Sequence, residues 1–292
     1  MELRQLKYFQ TIGRLNSITK AAVQLNVSQP SLTVAMQNLE EELGVLLFER
    51  SYRNISLTSA GAMFLKHVDD ILLRVDDSVR EITDYRTKRA GTIKIGIPPM
   101  IGVFVFSYIL GQFRKLHPEF ELTIVERGSL SVLRLLEKGK LDVGFVVLGD
   151  ALDGVEVMPV TCSEIKVCMR REHPLSGLSA VPIAALREEA FILLKEDTYN
   201  RRLIIEECKK NQYSPNIIFS TRQVQTIINM VEQGVGISFL IDAVSDKQQN
   251  IISRPLCRPL VIEAGLAWRK DRYITNALRI FINFIEKAFN NL

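Results

Sequence analysis

The chain has 292 residues, 47% hydrophobic and 24% charged, with 16 Gly and 10 Pro; this excludes collagen-like, low-complexity and largely disordered polymers. A chain of this length can bury roughly three quarters of its unfolded surface, enough for one large core or for two or three smaller domains. A net charge of +4 does not by itself indicate a nucleic-acid partner, and basic and acidic side chains nearly cancel over residues 1–90, so such a function must be read from pattern.

Leu3, Leu6, Phe9 and Ile12 recur at three-residue spacing and predict a first helix. Ser17 precedes Ile18, Ala21, Ala22 and Leu25, the apolar stripe of a short second helix that stops at Asn26. Ser28 is an N-cap with Pro30 in the first turn of a third helix, whose buried stripe is Leu32, Ala35, Met36 and Leu39. Two short helices around a tight turn, with small Ala21 and Ala22 where they must cross, predict a helix-turn-helix. An ordinary helical hairpin would show the same periodicity. The outer face of the third helix separates the two readings. Gln29, Pro30, Ser31, Thr33, Val34 and Gln37 are uncharged, where a solvated helix carries Lys and Glu. Gln can pair with adenine, Ser and Thr with several base edges, and Pro or Val can touch a thymine methyl.

The run Ala21-Ala22-x-x-Leu25-x-Val27-Ser28-Gln29-Pro30-Ser31-Leu32-Thr33, then Leu39-Glu40-x-x-Leu43-Gly44-x-x-Leu47-Phe48-x-Arg50, then Leu57-Thr58-x-x-Gly61 closely resembles the LysR-type transcriptional regulators. The resemblance implies a winged helix-turn-helix over 1–58. It also implies that Arg50 and Arg53 lie on the wing and reach the minor groove and phosphates of double-stranded DNA. Val34 departs from the family pattern, in which Arg or Gln is common.

From Ser59 to Arg89 there is no Pro, and Gly occurs only at 61. Phe64, Val68, Ile71, Val75, Ser78, Ile82 and Tyr85 alternate spacings of four and three, with Leu65, Leu72 and Val79 flanking them; this is a heptad seam. About 28 residues make a rod of about 42 Å. The family resemblance makes 59–90 the dimerising linker helix and hinge. It implies a homodimer and a homotetramer, with RNA polymerase as a further candidate partner.

After Gly91 the period changes. Residues 92–97, 121–127 and 141–148 read as strands with helices at about 101–116 and 129–138 between them. The order recurs as strands at 190–194, 216–219 and 236–241 with helices at about 199–211 and 222–233. Two βαβαβ units predict two α/β subdomains. A late strand at 261–268 and a helix at 274–289 would return to the first, so the expected subdomains are 91–161 plus 267–292, and 162–266. The fold class expected is therefore multidomain α+β and α/β: a winged helix-turn-helix, a long helix and two subdomains. The family resemblance makes these subdomains of periplasmic-binding-protein type, used to sense an effector.

Ligands of open α/β sheets bind beyond the carboxyl ends of strands, where helix N-termini offer N–H groups to anions. Two junctions qualify: Ile97-Pro98-Pro99-Met100-Ile101-Gly102 and Glu196-Asp197-Thr198-Tyr199-Asn200. Ser129 and Ser220 read as caps facing the same cleft. By resemblance, effector contacts fall on Met100, Ser129, Thr198, Tyr199 and Asn200, with 145–147 lining the pocket; Pro99 and Ile101 share the first junction. Family pattern and helix ends together predict a small organic acid with some hydrocarbon.

No Ser-His-Asp or paired-acid constellation can be assembled, so an α/β enzyme or ligand-binding module carrying an N-terminal helical DNA-binding appendage is the weaker reading. Cys162, Cys168, Cys208 and Cys257 show neither a disulfide framework nor metal spacing, and no cofactor beyond the effector is expected. The charged first residues, MELRQLKYFQ, do not read as a secretory signal, and no long apolar run implies a membrane span. The expected location is the cytoplasm.

Overall fold

The computed structural model describes all residues except 52–53, 88–90, 105–108, 150–151 and 291–292, and only the backbone of 50, 51, 54, 86, 87, 104 and 290. The chain folds as two units, Met1–Tyr85 and Arg86–Leu292.

The first unit is helical with one hairpin: α1 (Leu3–Leu15), α2 (Ile18–Leu25), α3 (Gln29–Leu43), β1 (Phe48–Ser51), β2 (Asn54–Leu57) and α4 (Ser59–Thr87). Ser17 Oγ accepts the Lys20 N–H at 3.2 Å and Ser28 Oγ accepts the Ser31 N–H at 3.2 Å, so both predicted N-caps form. Asn16 and Asn26 take the left-handed conformation at φ 48 and 53, stopping α1 and α2. Leu6, Phe9, Ile12, Ala21, Leu32 and Leu39 are buried together, each large side chain contributing about 1.5–3 kcal/mol. β1 and β2 pair antiparallel, Phe48 opposite Leu57 and Arg50 opposite Ile55.

Two polar features attach the hairpin to the helices. The buried Glu40 carboxylate accepts the N–H groups of Leu47 at 2.8 Å and Phe48 at 3.0 Å. Thr58 Oγ1 donates to the Leu46 carbonyl at 2.8 Å and accepts the Gly61 N–H at 2.9 Å. A Cβ at Gly61 would collide with the Leu47 carbonyl oxygen, which is why glycine stands there.

α4 corrects the predicted seam. Val68 is 0% exposed and Phe64, Leu65 and Leu72 pack on the same core, while Asp69 receives Gln10 and Arg14 from α1. The first turns of α4 therefore belong to the winged domain, and Val68 cannot serve an intermolecular seam. Farther along, Val75, Val79, Ile82 and Tyr85 are exposed, the last three at 62%, 70% and 78%.

The second unit contains β3 (Gly91–Ile97), α5 (Pro99–Phe104), α6 (Gly111–Leu116), β4 (Phe120–Glu126), α7 (Ser129–Glu137), β5 (Val143–Leu148), β6 (Val155–Arg170), β7 (Ala190–Leu194), α8 (Tyr199–Lys210), β8 (Asn216–Thr221), α9 (Val224–Glu232), β9 (Ser238–Ile241), α10 (Asp242–Ser245), β10 (Ile251–Arg269) and α11 (Asn276–Asn290). Six strands run β4-β3-β5-β10-β6-β9, and β7-β8 form a second sheet. A bridge from Phe191 to Ile237 carries that pair on to β9. β3 is parallel to β4 and β5, and β7 to β8. The two halves hold separate cores, one around Ile95, Phe113, Phe145 and Phe281, the other around Val167, Phe191, Ile204 and Phe239.

The halves are joined by β6 and β10, a long antiparallel pair. Sequence periodicity misses β6 and starts β10 at Val261 instead of Ile251, because Pro159 and Pro255 argue against strands. Both prolines flank register shifts in this ladder, where a missing N–H is tolerated. The single helix expected at about 101–116 is instead α5 and α6, with residues 105–108 between them outside the described set.

Candidate functional site

In the first unit, Gln29, Pro30, Ser31, Val34 and Gln37 are exposed and Thr33 is half-buried, so α3 keeps an uncharged outer face. Short internal bonds orient it. Thr19 Oγ1 donates to Gln29 Oε1 at 3.3 Å, Ser28 and Ser31 share a hydroxyl contact of 2.7 Å, and Thr33 Oγ1 donates to the Gln29 carbonyl at 3.1 Å. Arg50 is placed on β1 by its backbone pairing. Its side chain and all of Arg53 lie outside the described residues.

In the second unit a cleft lies between the two halves. It is lined by Pro98, Pro99, Met100, Ile101, Ser129, Val147, Leu194, Thr198, Tyr199, Asn200, Ile241 and Ile262. Residues from both predicted junctions thus meet in one cavity. Of the stretch 145–147 only Val147 reaches it; Phe145 and Val146 are buried in hydrophobic cores. Leu194, Ile241 and Ile262 carry no local signal for the cleft, because only the sheet order brings the ends of β7 and β9 and the middle of β10 here. The cleft leaves a cavity of only about 30 Å3, far less than an organic ligand fills.

The polar side is built from helix ends. The first N–H groups of α8 have no intrahelical acceptor, and one of them, that of Tyr199, donates to Ser129 Oγ at 3.2 Å. Thr198 is the N-cap of α8, yet its hydroxyl donates to the Lys195 carbonyl at 2.7 Å. Asn200 is buried and its Nδ2 donates to the Phe239 carbonyl at 3.4 Å. The Arg202 guanidinium stacks over the Tyr199 ring, 4.5 Å from its centroid, and the Tyr199 hydroxyl occupies the space where Gly149 would carry a Cβ. No Lys or Arg is among the described lining residues.

The two serines depart from prediction. Ser129 is the first residue of α7, whose N-cap is Gly128. Ser220 lies within β8 and accepts a hydrogen bond from the buried Arg201 at 2.7 Å, while α9 is capped at Gln223.

Asp197 brings a carboxylate to this junction and accepts a hydrogen bond across it. Its Oδ2 accepts the Gly128 N–H at 3.1 Å and Arg222 Nη2 at 3.1 Å, and its backbone carbonyl accepts the Leu130 N–H at 3.2 Å. Burial pushes its carboxyl pKa up, but hydrogen bonds from Arg222, Ser131 and Gly128 outweigh that and hold it below its ordinary value.

Residues 3–62 match the family described as "Bacterial regulatory helix-turn-helix protein, lysR family", and residues 86–290 match "LysR substrate binding domain". The chain belongs to the LysR family of transcriptional regulators. As a LysR-type regulator it binds DNA, regulates transcription and carries an effector-binding domain. It is 33% identical over 285 residues to the uncharacterized HTH-type transcriptional regulator YwbI of Bacillus subtilis, covering 97% of this chain and 95% of that one. Among solved structures, HinK, a LysR family transcriptional regulator from Pseudomonas aeruginosa, is 27% identical with a TM-score of 0.57, over 100% of this chain and 99% of that one. Full-length CbnR complexed with its target DNA shares the fold, at 22% identity and a TM-score of 0.62 over 99% and 100% of the two chains. The winged helix-turn-helix, long helix and two α/β subdomains read from the sequence are the architecture of this LysR-type regulator. No described helix is long and apolar enough to cross a membrane.

Proposed function

We propose that this regulator reads its operator through Gln29, Pro30, Ser31, Thr33, Val34 and Gln37 on α3, with Arg50 and Arg53 of the wing holding the minor groove and phosphates. The uncharged, internally oriented outer face of α3 supports this reading. The working divisions are 1–58 for DNA, 59–90 for pairing of subunits, and 91–161 with 267–292 against 162–266 around the effector. Pairing along the exposed far turns of α4 gives a homodimer, and sensor contacts build a homotetramer. The protein acts in the cytoplasm, where its DNA is, with RNA polymerase as a further partner.

The effector is a compact organic acid held by Pro99, Met100, Ile101, Ser129, Thr198, Tyr199 and Asn200. The observation that carries this is one cleft with an apolar wall and a polar rim of the Ser129 and Thr198 hydroxyls, Asn200 and the N-terminus of α8. Such an end offers N–H donors and about half a positive charge. Pro98, Met100, Leu194, Ile241 and Ile262 favour hydrocarbon next to the acid group. The small remaining volume means that binding must part the two halves, and this couples effector to DNA only if affinity differs between the arrangements. The test is calorimetric titration of organic acids against wild type and a Thr198→Val, Ser129→Ala double variant, with operator binding followed in parallel. An acid that alters DNA binding should bind the variant at least about tenfold more weakly. Equal binding to both proteins would remove the effector from this cleft.

A further inference from the structure

Helix α7 begins at a glycine N-cap and has no capping side chain of its own. The cap comes from the other half of the sensor. Asp197, in the turn between β7 and α8, gives its carboxylate to the Gly128 N–H and its carbonyl to the Leu130 N–H. The arrangement is reciprocal, since Ser129 Oγ accepts the first N–H of α8 at Tyr199. Each of these two helix N-termini therefore donates to the opposite half, through three hydrogen bonds that cross the cleft.

The local sequence is shaped for this contact. Any Cβ at Gly128 would strike the Asp197 carbonyl. Arg222, from the same half as Asp197, orients the carboxylate from behind at 3.1 Å. A helix end supplies only about half a unit of positive charge. Once Asp197 occupies it, a second carboxylate would face like-charge repulsion at short range.

We propose that Asp197 is an internal anion: it caps α7 across the cleft, holds the two halves of the sensor together, and excludes an effector's acid group from the α7 N-terminus. The last clause rests on the effector reading above; the first two do not. An effector must open the cleft against this clasp and find its polar anchors elsewhere on the rim.

The test is hydrogen–deuterium exchange of the full-length, effector-free protein, read by mass spectrometry. In wild type, peptides spanning 128–132 and 199–203 should be protected. In Asp197→Ala both should exchange about ten- to hundredfold faster, the range expected when hydrogen bonds to a charged group are lost. Peptides from β3 and β7 should not change. Millimolar sulfate, offered as an external anion, should restore protection at 128–132 in Asp197→Ala and leave wild type unaltered. Should Asp197→Ala lose its fold, the isosteric Asp197→Asn carries the test, with an intermediate increase expected at the same two segments. The proposal is overturned if wild type is unprotected there, if neither variant exchanges faster than wild type, or if sulfate fails to distinguish Asp197→Ala from wild type. Neither DNA nor an organic acid enters this assay, so its failure is separable from failure of the calorimetric test.

Discussion

The Glu40 carboxylate accepts the Phe48 N–H across eight residues of chain, in a buried hydrogen bond of 3.0 Å. With its second bond, to Leu47, it sets where the hairpin leaves the end of α3. The wing's position relative to the base-reading helix therefore depends in part on this carboxylate, beside the Thr58 contacts. Glu40→Ala should cost about 1–3 kcal/mol for each N–H left unpaired, and Glu40→Gln less, because one acceptor oxygen remains. Urea denaturation followed by circular dichroism measures both. Gly61→Ala should destabilise the same unit, since its Cβ has no space beside the Leu47 carbonyl; a stability equal to wild type would show that the α4 entry adjusts freely.

Base reading and phosphate holding should separate by salt and by sequence. Gln29→Ala should weaken binding to the operator by about 1–3 kcal/mol and leave random DNA nearly untouched. Arg53→Ala should weaken both and flatten the dependence on salt. Fluorescence anisotropy on operator and scrambled duplexes at several salt concentrations reads both effects. Equal losses on the two duplexes for Gln29→Ala would take that residue off the bases.

The far half of α4 makes the next prediction. Val75→Asp with Ile82→Asp puts charge into the exposed stripe and should dissociate the oligomer while each winged domain keeps its fold. Val68→Asp should unfold the winged domain, because that side chain is wholly buried within one chain. Sedimentation velocity and thermal melting distinguish the two outcomes. An unchanged oligomer in the double variant would exclude the stripe as an interface.

The cysteines should divide by location. Cys162 and Cys257 are exposed, and Cys168 and Cys208 are buried. Burial pushes the Cys168 thiol up to about 12 and raises that of Cys208 as well. Brief iodoacetamide treatment of the native protein should modify Cys162 and Cys257, with Cys168 and Cys208 reacting only after denaturation. Peptide mass spectrometry gives the result directly; rapid native labelling of Cys208 would contradict the packing of α8.

Acid should loosen the clasp. Asp197 is held below its ordinary value of 3.8, so the folded state favours its charged form. The stability it contributes is complete above that ordinary value and is lost as pH falls through the lowered one. Melting temperatures of wild type should therefore drop more steeply below pH 3.8 than those of Asp197→Asn. Parallel curves for the two proteins would show that the charge contributes nothing to closure.

Much of the first unit was legible along the chain because its determinants are local. Ser17, Asn26, Ser28 and Pro30 act within one turn of where they stand, and the uncharged face of α3 needs only helical spacing to be seen. The strands at 92–97 and 190–194 were equally plain, as short apolar runs between turn signals. Thr198, Tyr199 and Asn200 could be singled out because a helix N-terminus after a buried strand is itself a local pattern.

Contacts between distant segments were decided only by the tertiary structure. Val68 reads as a seam position by its heptad spacing, yet α4 packs that residue into the winged domain, since burial is a property of what lies opposite and not of period. β6 was hidden because Pro159 is tolerated only beside a register shift that its partner strand supplies. Asp197, Gly128 and Arg222 carried no signal of partnership, being 25 and 69 residues apart in the chain. A short turn acid, a glycine and an arginine become a clasp only when the sheet order sets the end of β7 against the start of α7, and hydrogen bonds form where atoms meet in space.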